Sequence, residues 1–164
     1  MESVNHASER PFAVTASAYI DETTGATVSG TVKGSRGAKV TLRGAESCET
    51  TDSYEFTGVA QGVYDLVIEE GGYLTYTVKN ISVETDDIVL PDIEVVRGDV
   101  NGDEMINARD IGVFRRDFGK AIENCANPYT DINGDGNVNA RDINLLRRNF
   151  GKSAAKDCTV EYTA

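Results

Sequence analysis

The chain has 164 residues, with 16 basic against 27 acidic side chains and a net charge of -11, a balance that disfavours nucleic acid as a partner. Hydrophobic residues make up 40 % with no tryptophan, and no apolar run approaches the roughly 20 residues that span a bilayer, so no segment reads as membrane-inserted. Three cysteines, Cys48, Cys125 and Cys158, are too few and odd in number for a disulfide framework and fit no zinc spacing, so at most one pair can close.

Residues 1–11 read as a disordered leader. The opening MESVNHASERPF lacks a basic stretch followed by an apolar core, so either the protein is cytosolic or the sequence is a piece whose signal peptide lies upstream, and the second reading is adopted. Residues 12–97 read as β throughout: 27-TVSGTVKG, 38-AKVTLRG, 53-SYEFTGV, 63-VYDLVIEE, 73-YLTYTVKN and 88-IVLPDIEVV are short, rich in Val, Ile, Thr and Tyr, and separated by Gly or Asp. This pattern predicts a sandwich of two facing sheets. In the fourth segment Tyr64, Leu66, Ile68 and Glu70 share the better core face, and Gly71-Gly72 then reverses the chain. The texture changes near Arg97, where Asp/Asn/Gly clusters and helical patterns take over. Residues 1–97 carry 7 basic and 16 acidic groups, whereas 98–164 carry 9 and 11, so the acidity belongs mainly to the first part.

The second part is a repeat. Aligning 99-DVNGDEMINARDIGVFRRDFGK-120 on 131-DINGDGNVNARDINLLRRNFGK-152 gives 14 identities in 22 positions at an offset of 32. Each copy opens with oxygen-bearing side chains at loop positions 1, 3, 5, 9 and 12: Asp99, Asn101, Asp103, Asn107 and Asp110, then Asp131, Asn133, Asp135, Asn139 and Asp142. Calcium is a hard cation that takes six to eight oxygens, and this spacing wraps positions 1, 3, 5 and 12 around it while position 7, here Met105 or Asn137, offers a backbone carbonyl. Position 9 acts through a water, and Asp in place of the usual Glu at position 12 draws the helix start closer. Two ions are expected. The sharp turn at position 6 is Gly136 in the second copy and Glu104 in the first, which makes the first site the weaker.

Each loop runs into an amphipathic segment. Ile111, Phe114 and Phe118, like Ile143, Leu146 and Phe150, fall at i, i+3 and i+7 and are expected to be core, with Gly119 and Gly151 stopping the helices. A segment of this size with so few apolar groups is marginal alone, so metal binding is expected to supply much of its folding free energy. Outside the core stripe stand Ala108-Arg109, Val113, Arg115-Arg116 and Lys120, matched in register by Ala140-Arg141, Leu145, Arg147-Arg148 and Lys152. Arginine beside small and aliphatic residues suits a protein interface whose partner is acidic and apolar in patches.

The duplicated D-x-N-G-D-x-x-(I/V)-N-x-x-D loop followed by a helix resembles the dockerin, the calcium-binding module that docks onto cohesins in cellulosomes. The resemblance covers about residues 97–152, within an expected module of 98–158, and leaves 159–164 as a tail. The preceding VSGTV, AKVTLRG, YEFTGV and GYLTYTVKNISV segments are similar to the X module of type II dockerins and to carboxypeptidase-regulatory-like sandwiches. The resemblance implies two domains, an Ig-like or prealbumin-like all-β sandwich and a small all-α dockerin with two calcium loop-helix repeats. It also implies a secreted bacterial protein, associated with the cell surface through the cohesin of a scaffoldin or anchoring protein. The family's near-symmetry allows two docking orientations. Differences at Val113/Leu145, Phe114/Leu146 and Asp117/Asn149, and the fused X module, favour one.

Three function classes follow. A calcium-dependent docking module needs two loops and a repeated helix face, and both are present. A dockerin borne by a secreted glycoside hydrolase or other enzyme, meeting a type I-like cohesin, is the runner-up within that class. A sugar-binding sandwich would rely on exposed aromatics, yet Tyr54, Tyr64, Tyr73 and Tyr76 alternate like sheet residues. A calcium sensor of the EF-hand type would need a helix before each loop, where 90-LPDIEVVRG is extended. Catalysis is not expected: the lone His6 lies in the leader, and the clustered carboxylates serve calcium. Cys125 in the linker and Cys158 in the tail can meet if the repeats pack antiparallel, with free thiols the alternative, and Cys48 is expected in the core.

Overall fold

The computed structural model describes residues 25–163, so the expected leader, its His6 and the first residues assigned to the β half lie outside it. Strand β1 (Ala26–Lys33) buries Ala26, Val28 and Val32, and β2 (Ala38–Leu42) buries Ala38, Val40 and Leu42 with Lys39 turned outward, the period-2 signature of half-buried strands. They are followed by β3 (Ser47–Thr50), β4 (Ser53–Val59), β5 (Gly62–Glu69), β6 (Gly72–Tyr73), β7 (Tyr76–Val83), β8 (Ile88–Val89), β9 (Ile93–Glu94) and β10 (Arg97–Asp99). One sheet runs β4-β1-β8, with β9 also pairing β1, and another begins β7-β5-β2-β3. Val28, Phe56 and Val59 of the first share one buried cluster with Val40, Leu42, Leu66, Ile68 and Ile81 of the second, so the two sheets face each other across a single core.

The expected face of β5 is the buried one at Leu66 and Ile68, while Val67 on the opposite face is buried too and Val63 is exposed. Cys48 sits in β3, which the residue pattern had not marked as a separate strand, half-buried at the edge of the core. Tyr54 and Tyr73 are buried and Tyr64 and Tyr76 are packed against the same core, as their alternation predicts.

After β10 the chain forms α1 (Ala108–Asp117), a 3-10 turn at Ile122–Asn124, α2 (Ala140–Arg148) and the short α3 (Ala154–Asp157). Their core gathers Val100, Ile106, Phe114, Ile132, Val138, Leu146 and Cys158. The backbones of the two repeats knit reciprocally: Gly119 N–H donates to the Val138 carbonyl at 2.8 Å and Gly151 N–H to the Ile106 carbonyl at 2.8 Å.

Two features tie this region to the sheets more closely than a linker at Arg97 would. Leu74, between β6 and β7, is buried in the helical core, and its N–H donates to the Val96 carbonyl at 2.9 Å. The segment after Cys158, expected to be a tail, forms β11 (Thr159–Glu161), which pairs in parallel with β7 and becomes the edge of the five-stranded sheet β11-β7-β5-β2-β3. The chain therefore leaves the β half through β10, paired with β6, and returns to it through β11. No disulfide joins the cysteines: Cys125 Sγ donates to the Ala121 carbonyl at 3.4 Å, and Cys158 is buried in the helical core.

Candidate metal centres and docking face

Each loop is built on the carboxylate at position 1. Asp99, at the end of β10, accepts the N–H groups of Gly102 (2.8 Å), Asp103 (3.1 Å) and Glu104 (2.9 Å); Asp131 accepts those of Gly134 (2.8 Å), Asp135 (3.2 Å) and Gly136 (2.8 Å). The carboxylate at position 12 closes the loop from the other side. Asp110 accepts from Asn101 N–H (3.3 Å) and Asn107 N–H (2.8 Å), and Asp142 from Asn133 N–H (2.9 Å) and Asn139 N–H (2.8 Å). The bonds to Asn107 and Asn139 N–H also make a capping box, since the side chains of Asn107 and Asn139 accept in return from the backbone N–H groups of Asp110 and Asp142, as well as from Arg109 N–H and Arg141 N–H. Position 12 is thus an Asp for a second reason: at the third residue of the helix its short side chain reaches the N-cap backbone. The Asn-x-x-Asp spacing carried that signal, and the metal-loop reading passed over it.

Burial separates the ligand set into two classes. Asp99, Asp110, Asp131 and Asp142 are buried, whereas Asn101, Met105, Asp135 and Asn137 are exposed and Asp103, Asn107, Asn133 and Asn139 lie between. Asp103 and Asp135 each hold an arginine of their own repeat, Arg109 at 3.4 Å and Arg141 at 3.3 Å. Among the described residues none of the four buried loop carboxylates has a basic partner in an ion pair. Burial pushes the Asp99 carboxyl above its ordinary range, its backbone donors oppose that, and the nearby Asp110 charge adds to it; Asp110 is raised in the same way, first by burial. A buried carboxylate pair ringed by amide and carbonyl oxygens, without a counter-charge, fits a hard divalent cation. Among the described residues no three His, Cys, Asp or Glu side chains converge, so any such ion must draw on the Asn side chains and the position 7 carbonyls as well.

At position 6 the copies differ in sequence and agree in backbone: Glu104 has φ 63° and Gly136 has φ 86°. The first loop therefore holds a non-glycine residue in the left-handed region, at a cost of roughly 1–2 kcal/mol.

The helix face departs from expectation at Phe118 and Phe150, expected in the core, and at Val113 and Leu145, expected outside it. Phe118 and Phe150 are not core: they are 54 % and 51 % exposed. The reason is that α1 ends at Asp117 and α2 at Arg148, so the last step of the i, i+3, i+7 stripe falls beyond the helix, where Phe118 takes φ -57° and ψ 129° and Phe150 follows the Asn149 cap. Phe114 and Leu146 are fully buried, and Ile111, Ile143, Val113 and Leu145 are half-buried against the same core. Ala108, Arg109, Arg115, Arg116, Ala140, Arg141, Arg147 and Arg148 are exposed. Lys120 is held by Asp117 at 2.9 Å, and Lys152 is half-buried with its carbonyl accepting Ile106 N–H. Each repeat therefore exposes arginines and one phenylalanine at matching positions.

Residues 97–151 match the family described as the dockerin type I domain. Two solved structures resemble most of the chain: a C-terminal interface mutant of a type II cohesin–X-dockerin complex from Acetivibrio cellulolyticus, 27 % identical over 80 % of this chain and 99 % of the matched one with a TM-score of 0.69, and an N-terminal interface mutant of the same kind of complex, 28 % identical at the same coverage with a TM-score of 0.66. A type II cohesin–dockerin structure from Bacteroides cellolosolvens is 43 % identical over 34 % of this chain and 85 % of that one, with a TM-score of 0.30. No curated protein matches.

Proposed function

We propose that the chain is an X module–dockerin pair and serves as a calcium-dependent docking module that binds a cohesin, assembling a cellulosome or anchoring it to the cell surface. The observation that supports this most is the duplicated loop and helix, with buried carboxylates lacking a counter-charge in both copies, set on a β half of the X-module kind. The division proposed is a β-sandwich up to residue 97 and a dockerin over 98–158, with β11 returning to the sandwich. This is a non-catalytic role. The proposed setting is outside the cell, at a bacterial surface reached through the partner.

Two calcium ions are assigned to the loops. Asp99, Asn101, Asp103, the Met105 carbonyl and Asp110 would hold the first, with Asn107 acting through water; Asp131, Asn133, Asp135, the Asn137 carbonyl and Asp142 would hold the second, with Asn139 in the matching role. Calcium, when bound, supplies the positive charge that these buried carboxylates lack. The protein's part is to present them at fixed spacing, with N–H groups already arrayed on positions 1 and 12, and to carry the loop's last ligand on the first turn of each helix. The exposed Arg115, Arg116, Arg147 and Arg148, with Ala108, Arg109, Ala140 and Arg141, form the face offered to the cohesin. One orientation is favoured, because a fused β half that also touches the cohesin breaks the pseudo-symmetry of the pair.

A type II cohesin is the first partner to try, because the X module belongs to that arrangement. A type I-like cohesin, as for a dockerin carried by a secreted enzyme, is the second reading, which the type I description of the matching family favours. Calorimetric titration with cohesins of both types, with calcium and after chelation, decides. Calcium-dependent binding to a type II cohesin supports the proposal; no binding to any cohesin with both sites filled overturns it.

A further inference from the structure

The two loops are nearly alike in sequence and differ in what grips them from the β half. In the first, the Glu104 carboxylate crosses to the segment between β6 and β7: Oε2 accepts the Thr75 N–H at 2.9 Å and Oε1 the Thr75 hydroxyl at 2.6 Å. The same residue donates its N–H to Asp99 Oδ2 at 2.9 Å and accepts Ala154 N–H on its carbonyl at 3.0 Å. One residue thus joins the β half, through its side chain, to the loop's position 1 carboxylate, through its N–H, and does so from a left-handed backbone that a glycine would occupy more easily.

In the second loop the grip comes from the turn between β1 and β2. The Arg36 guanidinium donates to the Asp131 carbonyl at 3.2 Å and to the Ile132 carbonyl, while Arg36 N–H donates to Glu70 Oε1 at 2.9 Å. Room for it is left by Gly134, where a β-carbon would stand 2.7 Å from the guanidinium carbon. Asp131 is again position 1.

We propose that Glu104 with Thr75, and separately Arg36, are positioning residues through which the β half sets the calcium affinity of the first and second loop respectively. This rests on the calcium reading above. Neither contact is a ligand. Each fixes the backbone or carboxylate that a ligand projects from, and outer-layer contacts of this kind change metal affinity by about tenfold when removed. Glu104, which looks like a defect in the loop, is on this reading the device that makes the first site depend on its neighbour.

The test is a calcium titration of the full chain followed by the amide resonances of Gly102 and Gly134, which read the loops one at a time. Thr75→Val is expected to weaken the first loop about tenfold and leave the second unchanged, with Thr75→Ser restoring it. Arg36→Met is expected to do the reverse. The sharpest variant is Glu104→Gly, which restores the usual residue at position 6 and relieves the backbone: the proposal requires weaker calcium at the first loop, whereas a loop acting alone would bind more tightly. Unchanged or tighter first-loop affinity in Glu104→Gly, or equal losses at both loops in either single variant, overturns it. A wild-type chain that takes up no calcium overturns the metal reading itself, and is told apart by needing no variant.

Discussion

Asp117 and Asn149 stand 32 residues apart at the same place in the two repeats and have opposite hydrogen-bonding tasks. Buried Asp117 is an acceptor for Ala126 N–H (3.0 Å), Asn127 N–H (3.0 Å), the Thr130 hydroxyl (3.4 Å) and the Lys120 ammonium (2.9 Å), pinning the linker between the repeats to the end of α1. Asn149 is a donor, its amide reaching the Arg97 carbonyl at 2.9 Å where the chain enters the first loop. A difference that reads as a break in a binding surface is accounted for inside the fold.

Removing the Asp117 carboxylate as Asp117→Ala is expected to cost about 2 kcal/mol, because it strands two backbone donors and an ammonium. Burial alone would raise this carboxyl, but the Ala126 and Asn127 N–H groups and Lys120 outweigh it and hold the group down at about 2. A depressed carboxyl stabilises the fold fully above its unfolded value of about 3.9 and loses that contribution as pH falls through the folded one. The stability difference between the wild type and Asp117→Asn, from urea denaturation in chelator, should therefore shrink between about pH 4 and pH 2; a constant difference would contradict the assignment.

Calcium should raise the melting temperature, with each site adding roughly 2.7 kcal/mol when the ion is at a hundred times its dissociation constant. Asp99→Ala and Asp131→Ala should each reduce the calorimetric stoichiometry by one ion. A stoichiometry that survives either substitution would remove that loop from the assignment.

Because burial raises Asp99 and Asp110, protons compete for the first loop above the ordinary carboxylate range. First-loop calcium affinity, followed by the Gly102 amide, should begin to fall at a higher pH than ordinary carboxylates would set. A loss that begins only in the ordinary carboxylate range would argue against a paired, buried carboxylate site.

Phe118→Ala and Phe150→Ala should leave thermal stability within about 0.5 kcal/mol, since both rings are more than half exposed. In the cohesin complex at least one of them should lose about tenfold in affinity, as aromatic anchors beside arginines do. Orientation is read from charge reversal: Arg115→Asp with Arg116→Asp against Arg147→Asp with Arg148→Asp should give unequal losses, and equal small losses would favour two orientations.

Ending the chain at Cys158 removes β11 and the Tyr162 N–H bond to the Lys79 carbonyl at 2.8 Å, exposing β7 as an edge. Faster amide exchange in β7, together with a lower melting temperature, is the expected result; exchange unchanged at Lys79 would mean that the strand contributes nothing.

Much of this molecule was legible in its residues. Period-2 alternation marked the strands from Val28 to Val83 other than β3, and a repeat of 32 placed both loops and both helices, because alternation and loop spacing are local properties of the chain. What lay beyond was decided where distant segments meet. Leu74 lies in a β segment yet fills the helical core, and β11 has too few residues to read as a strand until β7 offers its edge. Phe118 and Phe150 obey the helical period but fall outside the helix, since α1 ends at Asp117 and α2 at Arg148. Glu104 is unfavourable by every local rule, and only the Thr75 N–H and hydroxyl, 29 residues away, give its carboxylate a reason to be there. Local spacing determined which atoms each loop could present, and tertiary contact decided what holds them, because a hydrogen bond across the fold has no period along the chain.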